Sequence, residues 1–128
     1  VLEKREWQYF LDTRDQRGEW QIMRFAWFGD YNHASTFTNI FRSDDPQNLS
    51  GYRSEQYDRL LSASVSEHDG SEQSKLLTQA ETVLLEDNPI APLYVFVSKH
   101  LVRPGISGFE DNVLDRHPSR YLAMPGEK

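Results

Sequence analysis

Apolar residues recur with different periods along this chain, and each period predicts a different element. Trp7, Leu11 and Arg14 stand at i, i+4 and i+7 with Phe10 beside them, while Arg5, Gln8, Asp12 and Asp15 point elsewhere. That spacing predicts an amphipathic helix from Lys4 to about Arg17, stopped by Gly18. From Trp20 to Trp27 the period drops to two, with Trp20, Ile22, Arg24 and Ala26 on one face and Gln21, Met23, Phe25 and Trp27 on the other. Both faces are mostly apolar, which predicts a central strand covered on both sides, with the helix of Trp7 on one of them. Arg24 is then a charge in an apolar row and has to find a carboxylate or be costly to bury. An ordinary structural ion pair with a neighbouring acid is the plain account of it.

After Asp30 the pattern predicts a short polar loop, a helical turn near Ala34 to Phe41, and a surface loop over Arg42 to Gly51, rich in Ser, Asp, Asn and Pro. Two helices follow. Ser54 is placed to cap the first, with Tyr57, Leu60, Leu61 and Val65 inward. Asp69 or Ser71 can cap the second, with Leu76, Leu77, Ala80, Val83 and Leu84 inward. Pro89 ends that helix, and Ile90 to Val97 reads as a further strand leading through Lys99–Arg103 to Pro104 and Gly105. Beyond Gly108 the chain is loop-like apart from a short strand at Tyr121-Leu122. The fold class is therefore α/β.

Chemistry concentrates at Trp27-Phe28-Gly29-Asp30-Tyr31-Asn32-His33, where an acid sits among three aromatics at the end of the apolar run, beside a glycine that allows close backbone approach. A carboxylate there is placed to hold a cation. A hydrolase would need Asp30 to work with a second acid such as Asp44, Asp45 or Glu55 at a defined separation, and among 20 acids some such pairs arise by chance. A metal site could draw on Asp30, His33 and the distant His68, but no HxH, HExxH or CxxC spacing supports it. No GxSxG nucleophile motif or phosphate-binding glycine loop is present. His33, His68, His100 and His117 carry no assigned role, Phe41, Tyr52 and Tyr57 read as packing residues, Arg103 as a structural contact, and the Asn48-Leu49-Ser50 sequon carries little weight.

Composition changes the picture modestly. The 128 residues suffice for one domain with a real core. A net charge of −6 argues against a nucleic-acid partner and suits a protein whose ligands are often cationic. Cysteine is absent, which rules out disulfides and thiolate chemistry. No apolar window reaches membrane-spanning length and no signal-peptide pattern opens the chain. It begins at Val1-Leu2-Glu3-Lys4, as a processed piece of something longer would.

Several segments together resemble one family. Trp7 and Arg14 in EWQYFLDTR, the run Met23-Arg24-Phe25-Ala26-Trp27-Phe28-Gly29-Asp30-Tyr31-Asn32, Gly51-Tyr52 with Tyr57-Asp58, Pro92-Leu93-Tyr94, and Leu101-Val102-Arg103-Pro104 look like the carboxy-terminal part of an oligopeptide-binding protein. These are family 5 solute-binding receptors of bacterial ABC importers. The resemblance implies the end of a two-lobed, type II-like periplasmic binding protein, a mixed sheet flanked by helices. Residues 1–97 would belong to the carboxy-terminal ligand-binding lobe and 98–128 to the crossover and return towards the other lobe, a tail loosely held without that partner. It also implies a periplasmic location, or an extracytoplasmic, membrane-anchored one in a Gram-positive organism. The partners would be an oligopeptide and the membrane permease of an importer, with no cofactor, no metal, no catalysis, and a monomer at full length.

Under that resemblance Asp30 pairs with the peptide's α-ammonium, main-chain groups around Trp27, Phe28 and Gly29 extend a sheet onto the peptide, and Trp7 and Trp27 form walls. Arg14 and Arg24 then serve Asp30, acidic side chains or an α-carboxylate. Strict alternation puts Arg24 and Trp27 on opposite faces, so both line one cleft only if the strand twists, bulges or ends there. A receptor for murein peptide, dipeptide or another amine-bearing solute is the alternative within the class. A hydrolase centred on Asp30, or an interaction module with a large exposed apolar patch, would be different in kind.

Overall fold

A computed structural model describes residues 4, 6–15, 20–124 and 126, and all statements below concern these residues. The best-packed part is a helical hairpin, α3 (Glu55–Ser66) and α4 (Gly70–Asp87), joined by three residues. Its ends are fixed by the residues the pattern nominated. The Ser54 side chain accepts a hydrogen bond from the Tyr57 N–H, and Asp69, not Ser71, caps α4 by accepting from the N–H groups of Ser71 and Glu72. Asn88 closes α4 in the left-handed conformation just before Pro89, a stop that asparagine tolerates better than most residues.

The facing sides of the two helices bury Tyr57, Leu61, Leu77, Ala80 and Leu84, with Phe41, Tyr52, Leu60, Val83 and Ile90 packed around them. Val65, expected inward, is 71% exposed. Ser64 is buried in its stead, and its carbonyl accepts the Gln73 side-chain amide at 2.8 Å across the closing turn. Tyr57, Leu61 and Ser64 form the i, i+4, i+7 stripe that is buried, and Val65 falls one residue outside it. Tyr57 is fully buried, and its hydroxyl donates to the Thr38 carbonyl at 2.6 Å, which docks the short helix α2 (Ser35–Thr38) and the following 3-10 turn on the hairpin.

The Arg42–Gly51 loop is irregular, as expected, but tightly organised. Asn48 is buried, its amide donating to the carbonyls of Arg42 at 3.0 Å and Tyr52 at 2.8 Å while its oxygen accepts from Ser50. That use of the side chain accounts for the sequon: it is a loop clamp.

Helix α1 spans Trp7–Asp15 and starts later than the predicted Lys4; Arg5, Gln16, Arg17 and the Gly18 stop lie outside the described residues. Glu6 opens it by accepting from the N–H groups of Gln8 and Tyr9. Trp7 is 67% exposed and stacks on Phe10 at 5.6 Å, so α1 is not buried against a strand face as the pattern predicted.

Neither predicted strand forms. Trp20–Trp27 and Ile90–Val97 carry no helical or ladder hydrogen bonding, and the described residues contain a single isolated antiparallel bridge, Ser107 to Ala123. Nor is Trp20–Trp27 covered on both sides: Trp20, Met23 and Trp27 are half-buried, and Ile22 is 94% exposed. A strand is stabilised by neighbours that take its N–H and C=O groups, and these two segments do not supply that to each other. They meet through side chains: Phe28 stacks on Phe96 with ring centroids 5.4 Å apart, and Arg24 reaches Tyr94. The mixed sheet expected for this region is thus not built by these residues alone. At Tyr121-Leu122 the predicted strand is replaced by a 3-10 turn, Ser119–Tyr121, with the bridge just beyond it at Ala123. Gly108 makes that closure possible, since a Cβ there would lie 1.8 Å from the Tyr121 carbonyl oxygen.

Candidate functional site

The loop from Trp27 to His33 is held by α2 from one side. The Asp30 N–H donates to Thr36 Oγ1 at 3.0 Å, and Thr36 is buried. A methyl group at Gly29 would come within 3.0 Å of Phe37 and 3.1 Å of Thr36, so the glycine is what lets the loop lie against this helix. The close approach read from the sequence therefore exists, and its partner is α2.

His33 fastens the other end. Its Nδ1 accepts from the Ser35 N–H at 3.2 Å, and its Nε2 faces Gln73 Oε1 on α4 at 3.1 Å. An acceptor role for Nδ1 makes Nε2 the protonated nitrogen, which then donates to Gln73. Because Gln73 also holds Ser64, one chain of hydrogen bonds runs from the loop into the hairpin. His33, Thr36, Phe37 and Gln73 are positioning residues that sequence reasoning passed over; the signal available was the Ser and Thr just after a glycine-containing turn. Gly29, Tyr31, His33, Phe37 and Leu114 border an open depression of about 250 Å³.

Asp30 itself projects from this scaffold. It is exposed, and its carboxylate makes no hydrogen bond or ion pair with a described residue. Phe28, two residues before it, is exposed and lies on Phe96, which meets Tyr94 edge to face at 5.2 Å. Arg24 donates to the Tyr94 hydroxyl and lies 6.0 Å from the ring centre. The carboxylate partner expected for Arg24 is thus replaced by a phenol: Arg24 does not pair with Asp30. An exposed guanidinium needs no counter-ion, and a phenol with a ring face satisfies it.

Arg24 and Phe28 share the face turned to Tyr94 and Phe96. Trp27, one residue before Phe28, is half-buried with its indole N–H unpartnered. Arg24 and Phe28 thus meet Tyr94 and Phe96 along one ridge, and Gly29 and Asp30 continue the chain from its end onto α2. Trp7 and Arg14 sit on α1, Arg14 half-buried near its end, and no described contact joins them to Asp30. Tyr94 and Phe96 belong to the same ridge and were legible as same-face residues of Ile90–Val97. Asp30, His33 and His68 do not converge as metal ligands would.

The ridge offers an unpaired carboxylate, an aromatic shelf and a backbone from Met23 to Gly29 that makes no backbone–backbone hydrogen bond among the described residues. Chemically it can hold a cation and lend main-chain groups to an added strand.

No protein-family model matches the chain. Individual proteins do. The periplasmic oligopeptide-binding protein OppA of Salmonella typhimurium is 37% identical over 108 residues, covering 84% of this chain and 20% of that protein. The periplasmic murein peptide-binding protein MppA of Escherichia coli is 32% identical over 111 residues, covering 87% of this chain and 20% of the relative. The solved structure of Haemophilus influenzae OppA in complex with RPPGFSPFR superposes with a TM-score of 0.81 at 31% identity, covering 97% of this chain and 24% of that one. The chain thus spans about a fifth of the length of the curated relatives it matches, all of them named as binding proteins. By sequence and by fold it belongs to the family of two-lobed periplasmic peptide-binding proteins, matching a short carboxy-terminal part of them.

Proposed function

We propose that this chain is part of an extracytoplasmic receptor that binds oligopeptides and delivers them to the membrane permease of a bacterial ABC importer, acting by binding and not by catalysis. The observation that carries this reading is the exposed Asp30 carboxylate, which has no partner among the described residues and ends a segment whose backbone makes no backbone–backbone hydrogen bond among them. A peptide is a zwitterion with a repeating main chain, and those two features answer its ammonium and its backbone. Phe28, Gly29 and Trp27 would contribute the main-chain edge, and Arg24, Arg14 and Trp7 the remaining wall and charge. In the complete receptor, residues 1–97 would lie in the carboxy-terminal lobe and 98–128 would cross towards the other, and Trp20–Trp27 and Ile90–Val97 would enter a mixed sheet with strands from elsewhere in the protein. A periplasmic or otherwise extracytoplasmic location goes with this role.

A second reading, a receptor for a murein peptide, a dipeptide or another amine-bearing solute, is favoured by the similarity to MppA. It uses Asp30 in the same way. Calorimetry on the full-length receptor tests both readings. Asp30→Asn removes the charge opposing the ammonium, and truncating such a pair costs about 2 to 5 kcal/mol, or roughly 30-fold or more in affinity. Amino-terminal acetylation of the peptide should weaken wild-type binding similarly and cost the variant little more, because both changes remove one pair. Equal binding of free and acetylated peptides by the wild type would show that Asp30 is not the amine anchor. A turnover that Asp30→Asn abolishes would instead establish a hydrolase.

A further inference from the structure

His100, Asp115 and His117 meet in a cluster that includes none of the residues proposed above for peptide binding. Asp115 Oδ1 lies 2.7 Å from His100 Nε2 and 2.9 Å from His117 Nε2, and the three atoms all fall within 4.8 Å of one another. The scaffold around them is specific. Asp115 takes a left-handed backbone conformation with φ of 51°, uncommon for a residue with a side chain. It is held there by Asn112, whose carbonyl accepts from the Asp115 N–H at 3.0 Å and whose side chain brackets Arg116 through both of its polar atoms. Phe109 stacks on the His117 ring at 3.9 Å and meets His100 edge-on at 5.1 Å. The His117 side chain is only 11% exposed, while those of His100 and Asp115 are open to solvent by more than a third.

We propose that His100, Asp115 and His117 bind a divalent transition-metal ion of the zinc class, with the solvent-facing position left for water or a further ligand. Two imidazole nitrogens and one carboxylate oxygen are the donor set such ions prefer. Bonds of about 2.1 Å at tetrahedral angles put ligand atoms about 3.4 Å apart, so the two contacts to Asp115 need to open by under 1 Å while the imidazole nitrogens, within 4.8 Å of each other, settle to the same spacing. Phe109, stacked on His117 and edge-on to His100, fixes the orientation of both rings. The sequence hides the site because Asp115-x-His117 is a weak spacing and His100 lies fifteen residues upstream. A bound ion would clip residues 98–100 to 115–117.

The plain alternative is a hydrogen-bonded latch in which both imidazoles donate to Asp115. Metal-free chain, stripped with a chelator, is titrated with zinc chloride by calorimetry and with cobalt(II) by visible absorption. The expected result is one equivalent of zinc and the intense visible bands of a low-coordinate cobalt site. His117→Phe preserves the stack on Phe109 and deletes the ligand nitrogen; Asp115→Asn keeps an oxygen acceptor for the latch and removes the charge. Each should weaken binding by about 10-fold or more. His68→Ala, at an exposed histidine elsewhere, should change nothing. Absence of binding by the wild type, or binding unchanged in both ligand variants, would overturn the proposal and leave the latch.

Discussion

The α3–α4 hairpin and the pair of irregular segments at 20–30 and 90–102 are both rich in apolar residues, yet one is packed and the other is bare. In the hairpin, Leu61, Leu77, Ala80 and Leu84 find partners within about thirty residues of sequence, and every turn of both helices satisfies its own backbone. In the second region Ile22, Leu93, Val95, Val97 and Leu101 stand largely exposed, with no ladder to absorb their backbone groups. Helices carry their hydrogen bonds with them, whereas strands borrow theirs. A stretch of chain with strand sequences and no neighbouring strands therefore shows its apolar residues to solvent, even where the residues themselves would suit a core.

The largest effect that separates the two regions is expected inside the hairpin. Leu61→Ala removes a fully buried side chain between the helices and should cost about 2 to 5 kcal/mol, read as a lower urea midpoint of the helical signal. A cost below about 1 kcal/mol would mean that the hairpin is no better packed than the exposed segments.

Alkali sharpens the comparison next. Burial pushes the Tyr57 hydroxyl up, and burial followed by the hydrogen bond to Asp87 pushes Tyr52 up, so both stay neutral in the folded hairpin where an unfolded chain would ionise. Stability from these groups is complete below about pH 10 and is lost as pH rises through the raised folded values. The urea midpoint of the hairpin should fall between about pH 9.5 and 11.5, and Tyr57→Phe should flatten that fall; a midpoint independent of pH in this window would remove Tyr57 and Tyr52 from the core account.

Asp69→Ala is a smaller cut. It strips two N–H groups at the start of α4 of their acceptor and should cost about 1 kcal/mol, with helical content fraying from Gly70 onward. An unchanged midpoint would mean that Glu67, which accepts from the N–H groups of His68 and Asp69, already sets the turn.

Legibility followed the same divide. The hairpin, its two caps, the stop at Asn88-Pro89 and nearly all of its core could be read from period and end signals, because those signals are local. Val65 failed because the buried stripe of α3 runs through Tyr57, Leu61 and Ser64, and the polar Ser64 hid its last position from an apolar pattern. The strands at Trp20–Trp27 and Ile90–Val97 were read from a correct alternation, and Arg24 and Phe28 do share a face opposite Tyr94 and Phe96; what alternation cannot supply is the neighbouring strand. Of the candidate site, Asp30 and its glycine were legible as a loop with an acid. The clamp by Thr36, His33 and Gln73 was not, since it joins residues up to 40 positions apart. The contacts of His100, Asp115, His117 and Phe109 were not legible for the same reason: they join residues without a common period.

The smallest expected effect is the most discriminating. Val95 is 89% exposed, so Val95→Ser in this chain should change stability by no more than about 0.5 kcal/mol, as exposed substitutions do. If Ile90–Val97 is a strand that borrows its partners, the same residue in the full-length receptor is covered by neighbours. There Val95→Ser removes buried apolar surface and places a hydroxyl without an assured partner, at a cost above about 1 kcal/mol. Parallel urea titrations of the short chain and the full-length protein, wild type and variant, isolate the difference from other consequences of length. A large effect in both would mean that Ile90–Val97 is already buried here, contrary to its exposure. A negligible effect in both would mean that Val95 lines a surface even in the complete protein, and that the contrast between hairpin and segments belongs to the sequence itself and not to missing neighbours.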